Sequence, residues 1–137
     1  MTALLLIQLF SLSLAQAPAD SVVVMEGRPV ARVESTEDAA KHSAVPPAER
    51  EKLKVVIVRK GNRYFWASRE NRELERRVSG AFHYFIDRTE GGYVRVFDRS
   101  TLPESMRPEG AQFEYTEHVP VWRSTMTYWG VTDRLDD

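Results

Sequence analysis

Residues 54–66 read KVVIVRKGNRYFW, and this stretch decides the fold class of the chain. Its first half is a run of β-branched side chains, which is typical of a buried strand. Gly61 and Asn62 interrupt the run, and the aromatic residues Tyr64, Phe65 and Trp66 resume it. Two extended segments around a Gly-Asn pair predict a β-hairpin.

The sequence on the C-terminal side of this hairpin continues in short extended segments. Residues 81–86 and 93–97 alternate around the sequence DRTEGG, whose acidic residue and two glycines are typical of a turn. We therefore expect a second hairpin here. Residues 113–119 and 121–129 are also expected to be extended, and Gly130 is expected to end the last strand.

The regions on either side of residues 54–66 are less regular. Residues 21–34 hold two Val-rich runs around a Gly and a Pro, which predicts a short hairpin or one edge strand with a bend. Residues 36–45 are polar and are expected to form a flexible linker. Residues 69–79, RENRELERRVS, are expected to form a short surface helix or an extended charged loop.

These segments together predict a mainly β fold, or an α+β fold with little helix. About six strands joined by short turns imply an antiparallel sheet, which must curl into a small barrel or pack against a second layer. One short helix completes the prediction. We expect a hairpin and linker over residues 18–52, a β-rich core over 53–130 and a polar tail over 131–137.

The N-terminal residues predict export from the cytoplasm. Residues 3–14, ALLLIQLFSLSL, are mostly apolar and carry no charge, and Ala15-Gln16-Ala17 follows as a small-x-small cleavage triplet. A run of this length is too short for a transmembrane helix, which needs about 20 residues. We expect residues 1–17 to be a cleaved signal peptide. The processed protein is then periplasmic or secreted, with no transmembrane segment.

Composition excludes several classes of function. The 137 residues contain no cysteine, so disulfides, thiol nucleophiles and thiolate metal sites are excluded. A pI near 6.3 argues against nucleic acid as a partner. The recognisable phosphate-loop, nucleophile-elbow and zinc-protease motifs are absent from the sequence, so we lean towards a protein that is not an enzyme and has no cofactor.

Charge is unevenly distributed along the chain. Residues 52–99 hold twelve Lys or Arg and six Asp or Glu, whereas the flanking segments are acidic. A mixed solvated surface is one interpretation, and a positive face that attracts an anionic partner is the other. The candidate contacts for such a face are basic residues of this central segment and two tryptophans expected to be partly exposed at strand ends: Arg59, Lys60, Arg63, Arg69, Arg72, Arg76, Arg77, Trp66 and Trp129.

The histidines allow a catalytic alternative. His83 and His118, with Glu117, could act as general acid and base or bind a divalent metal if the fold brought them together. No spacing in the sequence forces them together, and separate surface or core positions are the simpler interpretation. A small hydrolase or metal-dependent enzyme using these residues is therefore the alternative function.

Five sequence blocks carry a resemblance that covers roughly residues 55–130. They are YFWASREN at 64–71, Ser79-Gly80, GYVRV at 92–96, Glu117-His118 and TYWG at 127–130. In these blocks the chain resembles small exported bacterial proteins of unknown function. The resemblance implies bacterial export and a single β-rich domain, and it implies no activity. The leading expectation is an exported, non-enzymatic interaction or binding protein, with an anionic envelope component or another envelope protein as its partner.

Overall fold

The computed structural model describes residues 20–136. The predicted signal peptide at residues 1–17 lies outside this range. Within it the chain forms nine antiparallel strands and three short 3-10 turns, which confirms the predicted mainly β class. The strands are β1 (Val22–Thr36), β2 (Ala40–Ala44), β3 (Val55–Lys60), β4 (Arg63–Trp66), β5 (Arg72–Ser79), β6 (Phe82–Ile86), β7 (Tyr93–Asp98), β8 (Phe113–Val121) and β9 (Ser124–Thr132).

Eight of these strands close into a barrel. From β3 to β9 each strand pairs with the next along the chain, as in an up-and-down meander. The long strand β1 closes the barrel, because its first half pairs with β3 and its second half pairs with β9. The short strand β2 lies outside the barrel and pairs with β1.

Alternation of side chains fills the barrel interior. Inward-facing residues of successive strands, such as Ile57, Trp66, Phe85 and Val94, are almost wholly buried and form one apolar cluster. Burial of this apolar area is the main term that stabilises the barrel. The large rings make the interior a packed core.

Two glycines make room for the largest inward ring on β8. A Cβ atom on Gly130 would lie 2.6 Å from Tyr115 Cε1, and a Cβ on Gly27 would also overlap the Tyr115 ring. The expectation that Gly130 ends β9 is therefore wrong. Gly130 allows the strand to continue to Thr132 past the tyrosine.

The two predicted hairpins are confirmed as β3–β4 and β6–β7. The helix or loop predicted over residues 69–79 is wrong, because most of this segment is β5. The reason lies in its inward side chains. Arg72, Leu74 and Arg76 face the interior with a period of two, and each arginine has partners there that the local sequence did not reveal.

The N-terminal division of the chain is also corrected. Residues 22–34 all belong to the single strand β1, whose register shifts after Val23 and Pro29, so the bent strand and not the hairpin is correct. It is not an edge strand, because β1 pairs with both β3 and β9. Residues 40–44 of the predicted linker form β2. Backbone hydrogen bonds to β1 hold β2 in place, and backbone bonds need no apolar side chains, so the polar sequence concealed them.

The two ends of the barrel differ in what covers them. The turns at residues 37–39, 67–71, 87–92 and 122–123 lie at one end, which we call the Trp122 end. At the other end the predicted polar tail folds back across the opening. Leu135 bridges to Met25 and packs on the core, and the Asp136 amide donates to the Val24 carbonyl over 2.8 Å.

Candidate functional site

The basic residues singled out from the sequence do not share one surface. The two inward arginines of β5, Arg72 and Arg76, are half-buried, whereas Arg77 faces outward. Arg77 is neutralised by Glu75, with 2.9 Å between Nη2 and Oε1. The barrel wall therefore splits the cations that we had grouped as one positive face.

The turn between β3 and β4 carries three more of these residues. Arg63 makes a two-pronged ion pair with Glu73, with a shortest distance of 2.6 Å between Nη2 and Oε2. Arg59 donates to the Gly61 carbonyl over 2.9 Å. Lys60 is exposed and has no ion pair among residues 20–136. Of the three, Arg63 is neutralised by a carboxylate, whereas Arg59 and Lys60 have no carboxylate partner among residues 20–136.

Arg69 belongs to a buried polar cluster near the Trp122 end. Its Nη2 lies 3.2 Å from Glu117 Oε1, and the Trp66 indole donates to Glu117 Oε2 over 2.9 Å. Glu117 and Trp66 are each 1% exposed, so Trp66 is not partly exposed as we had expected. Burial raises the pKa of Glu117, although Arg69 and the indole both favour its charged form. This cluster ties the end of β4 and the following turn to the middle of β8 inside the barrel.

Arg72 and Arg76 are likewise engaged within the fold. Arg72 Nη1 lies 2.9 Å from Glu90 Oε2 and 3.5 Å from Oδ2 of the buried Asp87. The Arg76 guanidinium lies 5.4 Å from the Tyr64 ring centroid and 5.3 Å from the Phe85 ring centroid, and these two rings contact each other at 5.6 Å. Both arginines are structural in their contacts.

The histidines and Glu117 do not converge. His118 follows Glu117 in β8, so the two side chains point to opposite sides of the barrel wall. Outside the wall, His118 stacks on Tyr93 at 5.0 Å and its Nδ1 lies 3.1 Å from Thr127 Oγ1. Inside the wall, His83 lies near the opposite end from Glu117, with its Nδ1 3.2 Å from Arg76 Nη2.

Strand register shows how far the inward pair is separated. His83 pairs with Val96, Val96 pairs with Tyr115, and Glu117 lies two residues further along β8. Two strand spacings and a two-residue rise place the His83 and Glu117 backbones about 12 Å apart. The acid–base constellation considered from the sequence is therefore not assembled. Residues 20–136 also contain no group of three or more His, Cys, Asp or Glu side chains placed to hold a metal ion.

A concave surface lies on the outer wall of the barrel, over β6 to β9 and β1. We call it the Trp129 groove. It has a volume of about 430 Å³. Apolar side chains make up much of its lining, and several of them are exposed: Trp129 is 37% exposed, Val131 is 40% and Val30 is 43%. Its lining residues are Val30, Phe82, Arg95, Phe97, Arg99, Glu114, Tyr115, Thr116, Trp129, Gly130 and Val131.

Cross-strand pairing builds the groove. Phe82 of β6 is opposite Phe97 of β7, and their ring centroids are 5.1 Å apart. In the next outward row Arg95 is opposite Thr116, which is opposite Trp129. The groove therefore places an aromatic pair at one side and an indole at the other, with a cation and a hydroxyl between them.

The two arginines of the groove differ in their pairing. Arg99 lies 3.2 Å from Glu114 and donates to the Ala111 carbonyl, so its charge is satisfied. The Arg95 guanidinium lies over the Phe82 ring at 5.3 Å and has no carboxylate partner in the part of the chain that the structure describes. Arg95 is exposed, and its positive charge is open to an anion.

Tyr115 contributes to the groove from inside the wall. The side chain is 2% exposed, and its hydroxyl has no hydrogen-bond partner among residues 20–136. Burial, followed by the nearby Glu117 carboxylate, raises the pKa of this hydroxyl above its ordinary value. It therefore stays protonated and keeps a proton to donate.

The sequence identified one member of this groove, Trp129, which is partly exposed as expected. It missed Arg95, Phe82 and Phe97. The signal for them was present in the second hairpin, where these three residues share one face once the turn fixes the register. Which face points outward could not be decided before barrel closure.

A second exposed aromatic site lies at the turn between β8 and β9. Trp122 is 85% exposed and Val121 is 51% exposed. Arg123 has a positive φ of 64° and its guanidinium lies over the Trp122 ring at 4.8 Å. We call residues 121–123 the Trp122 tip.

Comparison with known proteins does not identify the chain. No family model, curated protein or solved structure matches it. Among residues 20–136, no helix has the length and apolar character needed to span a membrane.

Proposed function

We propose that this protein is an exported, non-enzymatic binding protein of the bacterial envelope, and that the Trp129 groove binds an anionic and partly apolar segment of its partner. The observation that carries the proposal is the unpaired Arg95 guanidinium inside an exposed aromatic groove. Export rests on the signal-like sequence at residues 1–17.

The barrel interior supports a site on the outer wall. Trp66, Phe85 and Met25 are each at most 1% exposed and occupy the interior, and its inward ionic groups are engaged with one another. A ligand inside the barrel would have to displace this packing. The outer groove offers aromatic surface without that cost, and tryptophan and arginine are the residues that most often dominate binding energies at interfaces.

The chemistry of the groove defines its ligand. Arg95 offers a cation, so the ligand should carry an acceptor that is preferably a carboxylate or phosphate. The rings of Phe82, Phe97 and Trp129 favour an apolar or flat neighbour to that anion. An acidic, partly apolar segment of an envelope component meets both requirements.

The test is co-sedimentation of the purified processed protein with an isolated cell-envelope fraction at low and at high salt. Arg95→Glu and Trp129→Ala should each weaken binding at low salt by about tenfold or more, because they remove the cation or the indole. High salt should weaken wild-type binding, because the exposed charge is screened.

Lys60→Glu is the matched control. Lys60 is also an exposed cation without an ion pair among residues 20–136, but it lies on the β3–β4 turn. The Lys60→Glu variant should bind the envelope fraction like the wild type. Binding that Lys60→Glu abolishes and Arg95→Glu leaves intact would move the site to that turn. An unchanged thermal midpoint in each variant would show that the fold is retained.

A further inference from the structure

The Trp122 tip presents an exposed aromatic side chain at the end of the β8–β9 hairpin. Nine residue pairs join β8 to β9, and the last pair, Val121 with Ser124, leaves a two-residue turn. Directly below the tip, Val119 is buried and pairs with Met126 against the core. An 85% exposed indole is unusual, because tryptophan side chains are highly buried on average.

Acidic side chains lie beside the Trp122 tip. Thr36 pairs with Ser124, so the neighbouring β1–β2 turn carries Glu37 and Asp38 beside the Trp122 tip. Both are exposed, and neither has an ion pair in the part of the chain that the structure describes. The tip therefore presents an indole with the Arg123 guanidinium over one ring face and two unpaired negative charges beside it. This is the type of segment that the Trp129 groove is proposed to bind.

We propose that the Trp122 tip of one copy of this protein occupies the Trp129 groove of a second copy. This inference rests on the proposed function of the groove and names a partner for it. The indole of Trp122 would pack between Trp129 and the Phe82–Phe97 pair, while Glu37 or Asp38 approaches Arg95. Unpaired charges of opposite sign then meet across the contact.

The Trp122 tip and the Trp129 groove of one molecule cannot contact each other. Trp122 lies in the turn before β9, and the extended segment from Ser124 to Trp129 alone spans about 17 Å. The contact is therefore made between molecules, and it joins two different surfaces. Contacts of this type leave the Trp122 tip of one copy and the Trp129 groove of the other unoccupied, so further copies can add and form rings or open chains.

Sedimentation velocity of the purified processed protein over a range of concentrations tests this contact. The weight-average mass of the wild type should rise with concentration. Trp122→Ala and Arg95→Glu should each raise the dissociation constant at least about tenfold, because each removes one half of the contact. Met106→Ala removes a 65% exposed apolar side chain elsewhere on the surface and should leave association unchanged.

Mixing the two defective variants gives the sharper test. Trp122→Ala retains the groove and Arg95→Glu retains the tip, so an equimolar mixture should form one-to-one pairs and nothing larger. A wild type that stays monomeric at every concentration overturns the inference. So does association that Trp122→Ala leaves intact, or a mixture in which no pairs form.

The envelope assay separates this inference from the proposed function. Trp122→Ala keeps the groove and should still co-sediment with the envelope fraction. Loss of self-association with retained envelope binding supports both proposals. Self-association through the tip without any envelope binding would support the second copy as the partner and reject the envelope component.

Discussion

At the residue scale, the barrel wall decides what each charged side chain does. Arg69 and Arg95 are both arginines on or beside strands of the same sheet, yet Arg69 neutralises the buried Glu117 whereas Arg95 has no carboxylate partner among residues 20–136. The difference lies in which side of the wall the side chain reaches. Buried charges need partners, and exposed charges can remain available for binding.

The Arg69–Glu117 pair should make stability depend on pH in a defined direction. Arg69→Met leaves a buried carboxylate without its counter-charge and should lower the free energy of unfolding by about 3–5 kcal/mol at pH 8. The loss should be smaller near pH 5. Removing Arg69 raises the pKa of Glu117 in the folded state further. A raised carboxyl pKa means that the folded protein becomes less stable as pH rises through that pKa, because the buried group must then ionise.

Urea unfolding at both pH values measures this effect. The double variant Arg69→Met, Glu117→Gln removes the titrating group and should abolish the pH dependence of the loss. An Arg69→Met variant that is equally destabilised at pH 5 and pH 8 would show that the pair contributes packing alone.

At the element scale, β2 differs from every strand of the barrel. It has five residues and pairs on one side only, with β1. Its sequence, AKHSA, is exposed along almost its whole length. Lys41 on this edge is a feature that protects short edge strands against further pairing. The strand therefore contributes backbone hydrogen bonds and little apolar burial.

Hydrogen exchange should show this difference directly. Amides of β2 should exchange at least about tenfold faster than the hydrogen-bonded amides of β8 and β9, because short edge strands open locally without unfolding the barrel. Exchange measured by NMR residue by residue provides the test. Equal protection in β2 and β8 would mean that the edge strand opens only with the whole barrel.

At the scale of the whole molecule, closure makes the N-terminal strand indispensable. The sequence suggested a core over residues 53–130, preceded by a hairpin and a linker. In the barrel, β1 pairs with both β3 and β9, and Val24 and Met25 are wholly buried in the core. A chain without β1 has two open sheet edges and an incomplete core.

A chain that starts at residue 53 should therefore fail to fold. We expect little near-UV circular dichroism and poor NMR dispersion, whereas a chain that starts at residue 20 should show a single cooperative unfolding transition. A folded and cooperative chain from residue 53 would restore the sequence-based division of the protein.

Much of the local structure could be predicted from the sequence. The β3–β4 and β6–β7 hairpins, the low helix content and the antiparallel class all follow from alternation and turn residues, which act over a few positions. The sequence also shows that the chain has no cysteine and that its N-terminal residues resemble a signal peptide. β5 could not be predicted, because its inward arginines are explained by partners far from β5 in sequence, such as Tyr64 on β4 and Asp87 in the β6–β7 turn.

The candidate site depended on tertiary structure almost entirely. Alternation shows that Phe82 and Phe97 share a face, but not whether that face points into the core or into water. Closure through β1 and β9 decided it, and the same closure buried Trp66 and Glu117 while it exposed Trp129 and Arg95. The physical reason is that a strand pattern is local, with a period of two, whereas inside and outside are properties of the closed sheet as a whole.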